Sequence, residues 1–264
     1  MIRRFVFDRL QGASWLLISQ RDHARLALEL AQDWSTPLVT PATVEQELLV
    51  TIAHHDDGWL DWEAAPQADP RTGRPRQFTE MPLEQSLVIW QRSIDVCRQY
   101  GELPGWLVAG HFSALLRHLN AWQASHHPHA RIVTEFLARQ DRYRAAWLEQ
   151  WQSADPAQHT LATAERALRW LQFFDYFSLW LCCQPRLDPA ALSSVEPACL
   201  RLLPRNQAAI GIEPWPWRKL SRTFSVPGTL VPATSYTSST LPVLTEPGYL
   251  LHWELTPAGA FLRV

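Results

Sequence analysis

The spacing of apolar residues changes twice along the chain, and it predicts strands at both ends with helices between them. Residues 2–18 alternate loosely between apolar and polar positions around Gln11-Gly12, which is typical of a short β-hairpin. From residue 19 to 185, apolar residues recur at the three- and four-residue intervals of one helix face. Residues 186–264 return to short apolar runs between turn-forming Pro, Ser and Thr.

Capping residues and helix breakers divide residues 19–185 into six predicted helices. Ser19 stands three residues before Asp22, as at many helix starts, and Pro41 suits the first turn of the next helix. Residues 63–80, rich in Pro, Arg and Gly, are predicted to form a loop. The predicted helices span about residues 20–34, 41–57, 82–100, 104–122, 129–152 and 160–183.

The fold class expected from this pattern is mainly α. The strand-like ends are too short to be stable alone, so we expect them to share one sheet packed on the helices. The prediction is a helical bundle with a small β-rich layer, formed by the N-terminal hairpin and the C-terminal segment. The whole chain, residues 1–264, is expected to be a single domain, with residues 19–185 as its helical core and residues 1–18 and 186–264 as a β-rich appendage.

Composition narrows the classes of function. Basic and acidic residues number 24 and 26, a balance that does not favour general nucleic-acid binding. The first nine residues carry charges where a signal peptide needs an apolar run, and the chain offers no unbroken apolar stretch of about 18 residues. The four cysteines match no zinc-binding spacing. A cytoplasmic protein that does not enter membranes is expected, with its oligomeric state left open.

Histidine and aspartate residues on the predicted helices form a candidate metal site. The adjacent pair His55-Asp56 is the informative element, because an imidazole and a carboxylate that leave one helix about 100° apart can converge on one cation. Gly58 follows and lets the chain turn away. The predicted metal ligands, in chain order, are His23, His55, Asp56, His111, His126, His127 and Asp175.

This pattern of His, His-Asp, further His and Asp resembles the HD superfamily. The resemblance implies an all-helical fold and a site with one or two divalent ions, for which Fe, Mn, Zn or Ni are the candidates. It implies a metal-dependent phosphohydrolase acting on a phosphate ester or nucleotide, or, on the same ligands, a di-iron oxygenase. A catalytically inactive HD-like domain that binds a small ligand or a partner is the non-enzymatic alternative.

A second resemblance covers nearly the whole chain and points to a bacterial family of unknown function. The stretches that carry it are residues 20–24 (QRDHA), 53–59 (AHHDDGW) and 69–75 (DPRTGRP). This resemblance implies no activity.

Three further assignments complete the candidate site. Asp57 could assist proton transfer as a catalytic carboxylate. Arg71, Arg74 and Arg76 in the predicted loop could grip a small anionic substrate, since guanidinium groups match phosphate geometry, although a solvated charged loop would have the same composition. Asp175 lies in an aromatic helix, where a carboxylate needs either a cation or an Arg partner.

Overall fold

The computed structural model describes residues 1–8, 12–118, 128–184, 188, 190, 192–236, 241 and 248–259. Within these residues the chain forms seven α-helices and six β-strands. The helices are α1 (Gln20–Ala31), α2 (Ala42–His54), α3 (Leu60–Glu63), α4 (Leu83–Arg98), α5 (Glu102–His118), α6 (Ala130–Ala154) and α7 (Leu161–Cys183). The strands are β1 (Ile2–Asp8), β2 (Gly12–Ile18), β3 (Arg201–Pro204), β4 (Ala209–Glu213), β5 (Arg222–Pro232) and β6 (Tyr249–Pro257).

The chain divides into two compact units that alternate along the sequence. The sheet unit comprises Met1–Thr36, Trp59–Met81 and Phe173–Val264. The helical unit comprises Pro37–Gly58 and Pro82–Gln172.

In the sheet unit the six strands form one mixed sheet, in the order β1-β2-β5-β6-β4-β3. Strands β1 and β2 form the predicted antiparallel hairpin, in which Ile2 lies opposite Ile18. Strand β6 pairs antiparallel with β5 and parallel with β4. The prediction that both ends of the chain contribute strands to one sheet is therefore confirmed.

The predicted fold class is wrong, because the sheet is a major part of the structure. About 51% of the described residues are helical and 20% are in strands, so neither a mainly α bundle with a small β layer nor the all-helical HD architecture describes the structure. Strand β5 alternates buried and more accessible residues from Thr223 to Thr229, and it lies with β6 at the centre of the sheet. The short apolar runs of the C-terminal region were predicted as β-like pieces between turns, and Pro204, Pro232 and Pro257 each end a strand.

Aromatic side chains fill the core of the sheet unit. Trp34 makes edge contacts with Phe174 and Trp217, at centroid distances of 5.2 and 5.5 Å. The indole of Trp217 donates a hydrogen bond to the carbonyl of Leu30 at the end of α1. Such aromatic pairs add to the stabilisation from burial alone. They fix α1 in the sheet unit.

In the helical unit α5 is the central helix, and it packs against α2, α4 and α6. Its residues from Leu103 to Ser113 are all buried, which explains why its sequence is apolar on every side. The ring of Trp90 on α4 stacks on Phe112 at a centroid distance of 5.0 Å. No described helix combines the length and the apolar character that crossing a membrane requires.

Candidate metal centre

His23 is held in the first turn of α1. Ser19 caps this helix, and its hydroxyl accepts a hydrogen bond from the backbone N–H of Asp22 at 2.9 Å. This is the cap that the sequence predicted, and it satisfies one of the backbone donors left open at a helix start. The His23 side chain is fully buried.

Asp175 and Ser178 lie on the same stretch of α7, among the buried rings of Phe173, Phe174 and Phe177. The Ser178 hydroxyl donates to the Asp175 carbonyl at 2.9 Å, and its oxygen lies 2.7 Å from Nδ1 of His23. The hydroxyl can accept from an Nδ1–H of His23 or donate its own proton to Nδ1, so this contact is compatible with either tautomer. The His23 Nε2 atom lies 3.2 Å from Oδ1 of Asp175.

His55 and Asp56 follow the last residue of α2. His55 is the C-terminal capping residue of that helix, and its Nδ1 lies 2.8 Å from the carbonyl oxygen of Ile52. A carbonyl can only accept, so His55 carries a proton on Nδ1. Its Nε2 lies 3.6 Å from Oδ2 of Asp56, and both side chains are buried.

The turn after Asp56 is packed tightly against α4. A Cβ atom at Gly58 would collide with the carbonyl oxygen of Ile89 and would lie 2.5 Å from the backbone nitrogen of Ser93. The Gly58 N–H donates to the Ser93 hydroxyl at 3.1 Å. Gly58 is therefore needed for close approach, which is a more specific reason than the freedom to turn that its position in the sequence indicated.

Four of the seven predicted metal ligands form one group: His23, His55, Asp56 and Asp175. Each offers one ligand atom, and the four atoms all lie within 4.8 Å of one another. Donors that each lie about 2.0–2.2 Å from one ion are separated by roughly 3–4.4 Å, so small movements would suffice for them to share a cation. All four side chains are buried.

His111 lies on α5 next to this group but is not a member of it. Its ring is buried and makes an edge contact with the ring of His55, at a centroid distance of 5.9 Å. Its role as a ligand stays a prediction. His126 and His127 lie outside the described residues.

Asp57 pairs with the neighbouring His54. Its Oδ2 lies 2.7 Å from Nδ1 of His54, whose ring stacks on Tyr100 at a centroid distance of 4.8 Å. Burial raises the pKa of the nearby Cys97 thiol far above its usual range, and the carboxylates of Asp57 and Asp56 raise that pKa further. Negative charge is therefore concentrated at this end of α2, which suits a site for a cation. Proton transfer by Asp57 stays a prediction.

The predicted arginine loop is attached to the sheet. Its backbone folds back on itself, with the N–H of Arg76 bonded to the carbonyl of Gln67. The Arg74 guanidinium lies over the ring of Trp15, 5.7 Å from its centroid, while Arg71 is exposed. Substrate binding by Arg71, Arg74 and Arg76 stays a prediction.

Comparison with known families supports the second resemblance. Residues 6–233 match a family model described as "Protein of unknown function (DUF3891)". The chain belongs to the DUF3891 family. Searches of the curated proteins and of the solved structures gave no match. The family carries no assigned activity, so the chemistry of this DUF3891 member has to be argued from its own site.

Sequence reasoning missed two groups that orient the imidazoles of this DUF3891 chain. Ser178 stands three residues after Asp175 and so lies on the same face of α7, and a serine in the aromatic run FFDYFSLW was a signal that could have identified it. The carbonyl of Ile52 could not have been identified, because any helix end offers such groups.

Proposed function

We propose that this protein binds one divalent cation through His23, His55, Asp56 and Asp175 and uses it to hydrolyse a phosphate ester. The ligand order along the chain is the one that suggested the HD resemblance, now on a fold that includes a six-stranded sheet. Among the residues that the structure describes, this is the one group of three or more such side chains positioned to share an ion. A single-ion site is therefore the better-supported form of the prediction.

The convergence of two imidazoles and two carboxylates is the observation that supports this proposal most strongly. His55 holds a proton on Nδ1, which donates to the Ile52 carbonyl, and its Nε2 faces Asp56. Nε2 of His23 lies 3.2 Å from Oδ1 of Asp175. Metal-bound histidines commonly have the arrangement of His55, with the second ring nitrogen donating to a protein acceptor.

Charge balance supports the same assignment. Burying a carboxylate costs several kcal/mol unless its charge is compensated, and a divalent ion would neutralise both Asp56 and Asp175. Two nitrogen and two oxygen donors suit Mn, Fe, Ni or Zn. The types of ligand atom alone do not decide among these four metals.

Coordination number separates a catalytic ion from a structural one. Four protein ligands complete a tetrahedral zinc site, but they leave two positions open on a six-coordinate Mn or Fe ion. The imidazoles are fully buried, whereas 12% of the Asp175 side chain and 6% of the Asp56 side chain are accessible. The accessible fractions therefore belong to the two carboxylates and not to the imidazoles.

A bound divalent cation would supply Lewis-acid chemistry, polarising an ester oxygen and making a water molecule more acidic. The protein's own contribution would be to hold the His55 ring through the bond from its Nδ1–H to the Ile52 carbonyl and to keep both imidazoles away from water. The adjacent Asp57, fixed by its contact with His54, is the carboxylate proposed to accept a proton.

The experiment is a turnover assay on protein stripped with chelator and reloaded with Mn, Fe or Zn. The substrates are nucleotides and generic phosphate mono- and diesters. We expect turnover with Mn or Fe, at least a 100-fold loss in His55→Ala and Asp56→Ala, and little change in His159→Ala. His159 is the matched control, because its ring stacks on Trp151 and it is not one of the four residues of the group.

A metal-loaded wild type that hydrolyses none of these esters would contradict the proposal. Oxygen consumption by the iron-loaded protein would then favour the oxygenase alternative. Protein that takes up no metal would favour a domain that binds a small ligand or a partner.

A further inference from the structure

Among the described residues, the edge strand β1 is paired on one side only. It pairs with β2 along all seven of its residues, and no described strand lies on its other side. We propose that this side of β1 pairs antiparallel with β1 of a second copy of the chain, in a register centred on Val6. The two sheets would then form one continuous sheet across a symmetric dimer.

The two edges of the sheet differ in how they are protected against such pairing. At the opposite edge, β3 has only four residues, begins with the charged Arg201 and ends with Pro204, and these features discourage strand addition. Strand β1 contains neither proline nor lysine, and its register with β2 continues without a bulge from Ile2 to Asp8. A long edge without such protection is expected to have a partner.

The beginning of this edge is covered by another part of the chain. The Phe78 N–H donates a hydrogen bond to the Met1 carbonyl at 2.9 Å. The Arg3 guanidinium is paired with the Glu80 carboxylate. Residues 4–8 are therefore the part of β1 with which a second strand can pair.

The sequence of residues 4–8, Arg-Phe-Val-Phe-Asp, is complementary to itself when two copies run antiparallel. With Val6 opposite its counterpart, Phe5 of each copy lies opposite Phe7 of the other. Both rings are accessible in the single chain, with 50% of Phe5 and 72% of Phe7 exposed. Aromatic pairs directly across two strands stabilise a sheet, so this register buries the apolar surface that the edge exposes.

The same register places an acidic residue opposite Arg4. The Arg4 side chain is buried, and its described hydrogen bond is to the Leu181 carbonyl at 3.3 Å. Its Nε atom has no hydrogen-bond partner, and no described carboxylate forms an ion pair with Arg4. A buried charge is costly unless an opposite charge compensates it. In the dimer centred on Val6, Asp8 of the second copy stands opposite Arg4 in the strand pairing.

The first test is the oligomeric state of the full chain, measured by sedimentation equilibrium. We expect a dimer in the wild type. Phe7→Glu should raise the dissociation constant of the dimer about 100-fold or more, because each dimer loses two phenylalanine contacts. Leu250→Glu is the matched control and should remain a dimer, since Leu250 is 58% exposed but lies on β6, an interior strand of the sheet. A monomeric wild type, or a Phe7→Glu variant that dimerises as tightly as the wild type, would overturn the proposal.

The second test is the register, read from disulfide trapping in a Cys199→Ser background, because Cys199 is an exposed thiol. Under oxidising conditions Val6→Cys should crosslink two chains, since residues opposite each other on paired strands have Cα atoms about 4.5–5.5 Å apart, within the reach of a disulfide. Phe5→Cys is the control. It should not crosslink, because in this register the two copies of residue 5 are about 8 Å apart. Absence of the Val6→Cys crosslink, or equal crosslinking by Phe5→Cys, would contradict the proposed pairing.

Discussion

Gly58 shows how a single residue fixes the backbone beside two candidate ligands. It follows Asp56 by two positions, and its Cα lies so close to α4 that no side chain fits. The Gly58 N–H also donates a hydrogen bond to the Ser93 hydroxyl, which holds this turn against α4. The backbone position of Asp56 therefore depends on the packing of Gly58 against α4, in which the side chains of His55 and Asp56 take no part.

We expect Gly58→Ala to lower the free energy of unfolding by about 1–3 kcal/mol, because the backbone of Ile89 and Ser93 cannot move away as a flexible side chain could. It should also weaken metal binding. Urea denaturation and metal titration measure the two effects. Gly248→Ala is the control, since a Cβ there meets no atom within 4 Å. Equal stability of the two variants would contradict the steric role of Gly58.

At the scale of single residues, the sequence identified candidate metal ligands but not the groups that hold those ligands in place. His23, His55, Asp56 and Asp175 could be predicted, because polar metal-binding side chains are costly to bury on apolar helices unless they share a cation or an ion pair. Asp175 has His23 as a partner, and that residue lies 152 residues earlier in the chain. Such long-range contacts leave no local trace in the sequence.

At the scale of elements, α1 depends on its cap. The Ser19 hydroxyl is bonded to Asp22, and the N–H of His23 is bonded to the Ser19 carbonyl at 3.1 Å. The backbone N–H of Gln20 donates to the carboxylate of Glu63. Together these bonds fix the first turn, and with it the imidazole of His23.

Ser19→Ala should cost about 1 kcal/mol of stability, the usual effect of losing a serine cap, and Ser19→Thr should cost much less. Because His23 lies within that first turn, the Ala variant should also bind metal more weakly. Denaturation midpoints and metal titration would be compared for both variants. Loss of stability without loss of metal affinity would show that the cap supports the helix but not the site.

Among the secondary-structure elements, the helices could be predicted from the sequence, but the number of strands in the sheet could not. All six predicted helices occur near their predicted positions, because a three- to four-residue repeat over several turns is a strong signal. The runs that form β4 and β5 are short and flanked by Pro, so the sequence indicated β structure there but not a sheet of six strands.

At the scale of the whole molecule, metal binding should be linked to stability. An ion that binds the folded chain alone stabilises it by about 2.7 kcal/mol at 100 times its dissociation constant. For a chain of this size that corresponds to a rise of about 5–10 °C in the unfolding temperature. The rise should be absent in Asp175→Asn and present in Asp141→Asn, whose carboxylate is exposed and paired with Arg117.

The most direct measurement is the metal stoichiometry of chelator-stripped protein titrated with Mn, followed by calorimetry and checked by elemental analysis. We expect one ion per chain in the wild type and in Asp141→Asn. We expect no stoichiometric binding in Asp175→Asn, which removes one of the four converging ligands. A wild type that binds no ion, or an Asp175→Asn variant that binds as tightly as the wild type, would contradict the proposed metal centre.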